Sequence, residues 1–185
     1  MKKRFKLSIN HLGKSKSHFI FRPVKSSDAQ SLLTICKTAK AGLTNLPKNK
    51  KEIAELIESS VASYKSKCSV KHKKFIFVIE SSDHEIIGIS GIKARVGVNR
   101  PYYSFNINKN EKHHFLELVQ QQLGPSEIGS LFLSPNYRNQ GLGRLLSLSR
   151  FLFIACFKEN FSNTIIAELR GYLTTNNRSP FWEHV

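Results

Sequence analysis

Residues 127 to 157 read EIGSLFLSPNYRNQGLGRLLSLSRFLFIACF, and no other stretch restricts the fold as tightly. EIGSLFLSP, 127 to 135, is a short apolar run closed by proline, which predicts a strand. Residues 141 to 160 carry apolar side chains on most sides, which predicts a buried helix. Only Arg138-Asn139-Gln140-Gly141-Leu142-Gly143 separates the two. A strand that turns this sharply into a buried helix lays that helix back across a sheet, so the chain is committed to an α/β arrangement.

The turn also has chemistry. Helix N-termini leave backbone N–H groups unpaired and carry about half a positive charge. A glycine turn that aims several of them at one point makes an anion site. A side chain at Gly141 or Gly143 would occupy the ligand's space or forbid the backbone angles. Arg138 and Arg144 add charge. The amides of residues 140 to 144 are therefore read as converging on a phosphate-like anion, with Gln140, Gly141 and Gly143 at its centre. No Gly-Lys-Ser/Thr follows, so a P-loop is excluded. Only two of the three dinucleotide-fold glycines are present, and no strand–helix–strand unit opens the chain.

The rest of the chain fits around this block. FIFRPVK, 19 to 25, alternates as a strand does. Ser26, Ser27 and Asp28 offer N-caps to a helix with apolar Leu32, Leu33, Ile35 and Cys36, closed at Gly42. Residues 48 to 66 form a second amphipathic helix. KKFIFVIE, 73 to 80, and EIIGISGIKARVGV, 85 to 98, are strands that the SSDHE turn joins as a hairpin. Residues 99 to 126 are the hardest to read, with a helix of poor period from Lys112 to Leu123. NTIIAELRGYL, 163 to 173, is a strand, and Ser179 with Pro180 opens a last helix. The order is mixed α/β.

At 185 residues one domain is expected, residues 18 to 185, behind a loose basic arm at 1 to 17. No apolar stretch reaches the ~18–20 residues of a membrane span, and no signal peptide is expected. Cys36, Cys68 and Cys156 have neither metal nor disulfide spacing. Cys36 and Cys156 read as buried thiols, and a reducing cytoplasm fits. The net charge is +16. It allows nucleic acid, an anionic surface or an anionic small ligand. The lysines are spread along the chain and include no recognition helix or basic–aromatic motif. A basic nucleic-acid-binding domain is therefore the least favoured alternative.

Arg-x-x-Gly-x-Gly at this point of the strand–helix order resembles the acyl-CoA loop of the GNAT acyltransferase superfamily. The segments IFRPVKSSD, AGLTNLP, VGVNRPYY, EIGSLFLSPNYRNQGLGRLLSLSRFLFIACF, IAELRG and RSPFW, taken in order, resemble the arginine N-succinyltransferase family over about residues 19 to 182. The resemblance implies a GNAT-like acyl-CoA N-acyltransferase fold, a mixed central sheet flanked by helices. It implies succinyl transfer from succinyl-CoA to the α-amino group of L-arginine, in arginine catabolism and without a metal. It implies that the strand before the loop splays from its neighbour to admit the pantetheine arm. Leu131 takes the position of the family's succinyl-CoA contact, and Leu133, two residues on, is expected to point the same way. For the amino-acid acceptor, Thr44 and Asn45 in AGLTNLP, Asn99 and Tyr102 in NRPYY, and Glu168 and Arg170 in strand 163–173 are the candidates. An internal pair between Glu168 and an arginine is the alternative for that carboxylate, and Asp28 and Ser27 read as helix caps.

The family pattern continues past SPFW into further C-terminal strands and a histidine proposed as proton donor. No counterpart of that histidine is assigned, and His113, His114 and His184 are read as incidental. No general base is named. The expectation is a chain lacking the C-terminal part of the fold, completed by a second chain or by self-association. A CoA-binding subunit without turnover is the standing alternative.

Overall fold

The computed structural model describes residues 5–9, 17–39, 46–47, 49–110, 113–176 and 178–184. β1 (Phe5–Ile9) and β2 (Ser17–Pro23) lead to α1 (Ala29–Thr38) and α2 (Lys50–Tyr64). Then come β3 (Lys74–Glu80), β4 (Ile86–Lys93), β5 (Tyr102–Lys109), β6 (His114–Gln121) and β7 (Ser126–Leu133). α3 (Leu142–Cys156), β8 (Ile165–Ile166) and the short α4 (Pro180–Glu183) complete the chain. The main sheet has the order β1-β2-β3-β4-β7-β8, while β5 and β6 form a separate two-stranded ribbon. All neighbours in the main sheet are antiparallel except β7 and β8, which are parallel.

Alternation along β3 explains the layering. Phe75, Phe77 and Ile79 pack on one side with Leu142, Leu146 and Ile154 of α3. Ile76 and Val78 pack on the other with Leu32 and Leu33 of α1 and Ile53 and Ile57 of α2. A strand covered on both faces is apolar throughout, as KFIFVIE is. Asn49 starts α2 by a reciprocal cap: its Oδ1 accepts from the Glu52 amide at 2.9 Å, and its Nδ2 donates to Glu52 Oε1 at 2.7 Å.

A buried charge cluster ties β2, the 3-10 turn Ser26–Asp28 and β3 together. Arg22 Nη1 and Nη2 each donate to Asp28 at 2.8 Å, and Arg22 Nε donates to Glu80. Asp28 also accepts from the Lys25 amide at 2.7 Å, back across the 3-10 turn; it sits at the N-cap position of α1, but its side chain caps no amide of that helix and anchors an arginine instead. Burial opposes ionisation of Glu80, but hydrogen bonds from His84 and Arg22 outweigh it and hold its pKa below the ordinary value. Burial likewise acts to lower the Arg22 pKa, and the two carboxylates reverse the sign.

Several sequence expectations are corrected. Part of the segment read as a loose arm is β1, which pairs with β2 from Phe5 opposite Phe21 to Ile9 opposite Ser17. The helix expected from Lys112 to Leu123 is instead β6, paired with β5 from Tyr102 opposite Gln121 to Lys109 opposite His114. The strand expected over 163–173 pairs only at Ile165 and Ile166. The strand read over 85–98 ends at Lys93. α3 is not covered on most sides: Leu148, Phe151 and Leu152 are exposed. Cys156 is exposed too, and Cys36 is half-buried. The helix stop expected at Gly42 lies outside the described residues, and α1 ends at Thr38. No helix among the described residues is long and apolar enough to cross a membrane.

Candidate functional site

β7 is irregular where the site forms. Gly129 lies opposite Gly91 and Phe132 opposite Ile89, so Ser130 and Leu131 together face the single residue Ser90. This is a β-bulge, and Ser130 takes a left-handed φ of 51° within it. On the other side of the strand, β8 meets β7 only at Ser126 and Glu127. From Ile128 onward the β8 side of β7 has no strand partner among the described residues. The splay that the family resemblance implies is thus present, and it opens toward the glycine turn.

β7 leads through a 3-10 turn, Pro135–Tyr137, into the loop. Asn139 and Gly141 both have left-handed backbones, at φ 62° and 77°. Gly141 is the N-cap of α3, and its carbonyl accepts from the Leu145 amide at 3.0 Å. Among the described residues, the amides of Gln140, Gly141, Leu142, Gly143 and Arg144 donate to no protein acceptor. A Cβ on Gly141 would have open space around it, so glycine is needed there for its dihedral angle. A Cβ on Gly143 would meet only Leu133 Cδ2, at an ordinary 3.8 Å. Nothing in the protein forbids a side chain at Gly143; a ligand seated on the turn would.

The two arginines of the turn differ. Arg138 folds back, with Nε donating to the Leu133 carbonyl at 3.1 Å and the guanidinium 6.0 Å from the Phe132 ring centre. It braces the loop against the end of β7. Arg144 is exposed on the first turn of α3. Leu131 is 37% exposed in the bulge, whereas Leu133 is buried between the sheet and α3. Sequence reasoning missed Arg150. It is only 4% exposed, and Nη1 donates to the Gly129 carbonyl at 3.4 Å, so α3 grips the bulge from beneath. Its Nε and Nη2 donate to Ser147, and burial lowers its pKa. Its place inside an apolar helical run is the signal that could have marked it.

A cavity of about 530 Å³ lies at the other end of β7. Asn99, Tyr102 and Glu168, three of the acceptor candidates, line it together. Burial raises the Tyr102 pKa, and the nearby charges of Glu168 and Glu127 add to it. Glu168 thus lies beside a tyrosine. Glu127, only 3% exposed, pairs with Lys93 Nζ at 2.6 Å. Six cationic side chains and two carboxylates line the cavity, so it favours anions. Arg170 is exposed and outside its lining, and Thr44 and Asn45 lie outside the described residues. A second cavity of about 770 Å³, lined by Phe21, Phe75, Phe77 and Phe153, lies between the sheet and α3; neither cavity reaches the loop 138–144. The described residues include no cluster suited to a metal ion.

A mixed sheet with a splayed parallel pair and a glycine turn opening the intervening helix is the architecture of GNAT-like acyltransferases. The fold of the ribosomal-protein-S5-alanine acetyltransferase from Vibrio fischeri is similar, with a TM-score of 0.51 at 17% identity over 87% of this chain and 73% of that one. The chain belongs to the arginine N-succinyltransferase beta subunit family, whose profile matches residues 19–185. Arginine N-succinyltransferase from Yersinia enterocolitica is 37% identical over 175 residues, covering 89% of this chain and 51% of that protein. The Escherichia coli O139:H28 protein of the same name is 33% identical, with 89% and 51% covered. The arginine/ornithine succinyltransferase subunit AI from Pseudomonas aeruginosa superposes with a TM-score of 0.76 at 26% identity, over 90% of this chain and 54% of that one. The chain spans about half the length of these relatives.

Proposed function

We propose that this chain carries the acyl-CoA site of an arginine N-succinyltransferase, which moves a succinyl group from succinyl-CoA to the α-amino group of L-arginine. The supporting observation is the turn 140–144, whose amides have no protein acceptor at the mouth of a splayed strand pair. Here the diphosphate of CoA sits on those amides, with Arg144 beside it and Gly143 leaving room for it. The pantetheine arm lies along the unpaired edge of β7 past Leu131, taking the place of a strand partner. Leu133 contributes from beneath, as part of the floor under Gly143.

β7 is about 20 Å long from Leu133 to Glu127, so an arm that starts at the turn ends near the cavity. There Asn99, Tyr102 and Glu168 receive the amino acid, with Glu168 the carboxylate suited to its guanidinium. Arg170, Thr44 and Asn45 enter this reading through the family resemblance. The α-amine must arrive deprotonated. Its lone pair attacks the thioester carbonyl carbon, the C–N bond forms, the C–S bond breaks, and CoA leaves with the proton the amine gives up. The phosphates of CoA give the basic surface a use without nucleic acid. Three separated thiols suit the cytoplasm.

The experiment is a titration of CoA into the purified chain, followed by a thiol-release assay with succinyl-CoA and L-arginine. Binding with arginine-dependent thiol release is expected. Absence of CoA binding would overturn the reading. Because the chain matches about half of its relatives' length, binding without release would favour a CoA-binding half that turns over only with a partner chain.

A further inference from the structure

The cationic surplus of the 530 Å³ cavity is only partly explained by the acceptor. Arginine brings one α-carboxylate, which can occupy one cation, but its guanidinium and amine gain nothing from the others. The surplus therefore calls for an anion at this end of β7, and the candidates can be sorted by what each cation already holds. Lys93 is paired with Glu127 at 2.6 Å. Lys73 is buried and donates to Asn160 Oδ1 at 2.7 Å. Lys71 and Arg100 are exposed at the rim, and Lys74, half-buried on β3, offers a point charge without a planar fork.

Arg95 is different. Its backbone is clamped on both sides, because the Ala94 amide donates to the Lys73 carbonyl at 2.9 Å and the Val96 amide to the Pro125 carbonyl at 3.0 Å. Its Nη1 donates to the Ala94 carbonyl at 3.0 Å and reaches Ser126 Oγ at 3.4 Å. Ser126 is fully buried, and its hydroxyl is fixed by donating to Ala94 and accepting from the Ser162 amide. Nε and Nη2 have no acceptor among the described residues. Arg95 is thus a half-exposed guanidinium held by one nitrogen, with the rest of its fork unused and no carboxylate within ion-pair distance. It lies at Ser126, where β7 begins and where a donor running down from the glycine turn would place the far end of its acyl group.

We propose that Arg95 is the donor-specificity residue: it binds the carboxylate at the distal end of the acyl group and so selects a dicarboxylic acid monothioester of CoA over a neutral acyl-CoA. This rests on the reading of the turn as the CoA site. A planar fork with two donors free matches a carboxylate bidentately.

The test is calorimetric binding of CoA, acetyl-CoA, succinyl-CoA and the distal methyl ester of succinyl-CoA, with no acceptor present. The unmodified chain should bind succinyl-CoA about tenfold more tightly than acetyl-CoA, a difference of ~1.4 kcal/mol. The methyl ester, which keeps the shape and loses the charge, should bind like acetyl-CoA. Arg95→Gln should bring succinyl-CoA and acetyl-CoA within about twofold of each other, leave CoA itself unchanged, and be partly rescued by Arg95→Lys. CoA binding with no preference for succinyl-CoA, an ester that binds as tightly as the acid, or an Arg95→Gln chain that keeps the preference would each overturn the assignment while leaving the CoA site standing. Failure of CoA itself to bind would overturn both. Should Arg95→Gln not fold, the ester comparison on the unmodified chain decides the charge requirement, and Arg95→Lys decides the residue.

Discussion

At the scale of single residues, Gly141 and Gly143 look equivalent in sequence and are not. Gly141 is held at a positive φ, so Gly141→Ala should cost about 1–2 kcal/mol of stability, read as a lower denaturant midpoint. Gly143 has room for a Cβ, so Gly143→Trp should leave that midpoint within about 0.5 kcal/mol and abolish CoA binding by titration. A Gly143→Trp chain that binds CoA normally would remove the turn from the site. Tyr102 offers a spectroscopic handle. Its phenol is held up by burial and then by Glu168, so Glu168→Gln should move one tyrosine titration toward the ordinary value in an alkaline absorbance titration. A titration unchanged by Glu168→Gln would mean that the two do not interact. The turn residues were legible because glycine and arginine at a strand–helix junction have few other uses. Arg150 and Arg95 were not, because an arginine's role depends on which acceptors lie around it, and those come from distant parts of the chain.

At the scale of elements, the Arg22–Asp28–Glu80 cluster joins three segments through buried charge. Removing the cation leaves two buried carboxylates without it, so Arg22→Ala should cost about 3–5 kcal/mol. The pH dependence has a definite sign. Glu80 has a folded pKa below its ordinary 4.5, so the unfolded chain binds the proton more readily. Its stabilisation is complete above 4.5 and is lost as the pH falls through the folded value. Glu80→Gln should flatten the acid limb of a pH–stability curve, and an unchanged limb would show that other carboxylates govern it. The ribbon β5–β6 shows why some elements escape a sequence reading. Tyr103, Phe105 and Ile107 alternate along β5 but are exposed, and the Phe115-Leu116-Glu117-Leu118-Val119 run of β6 does not alternate, so the two strands bury no single stripe. The expected helix there came from a pattern that packing had not shaped. β8 is short for a different reason. Its apolar letters predict a strand, but pairing ends one residue before β7 reaches Ile128, and a strand without a neighbour is not one.

For the whole molecule, the mixed α/β class and its order of elements were legible because both faces of the main sheet are covered. Burial on both sides wrote continuous apolar runs into β3 and β4 and an apolar stripe into each long helix. The charge of +16 acts over the entire surface. Association with an anion such as CoA should slow as ionic strength rises from about 0.01 to about 0.15 M, over which the screening length falls from about 30 to about 8 Å. A stopped-flow rate constant indifferent to salt would show that the charge plays no part in capture. Ile128 and Leu133 both face α3 although they are five positions apart, whereas uninterrupted pleating would put them on opposite sides. The extra residue at Ser130–Leu131 changes the parity of the strand. Pleat the same residues without the bulge and Phe132 would turn toward α3, Leu133 toward α1 and α2, and the turn beyond would enter the wrong layer. The location of the ligand site is therefore set by a count of residues, odd or even, before any side chain on the turn is chosen.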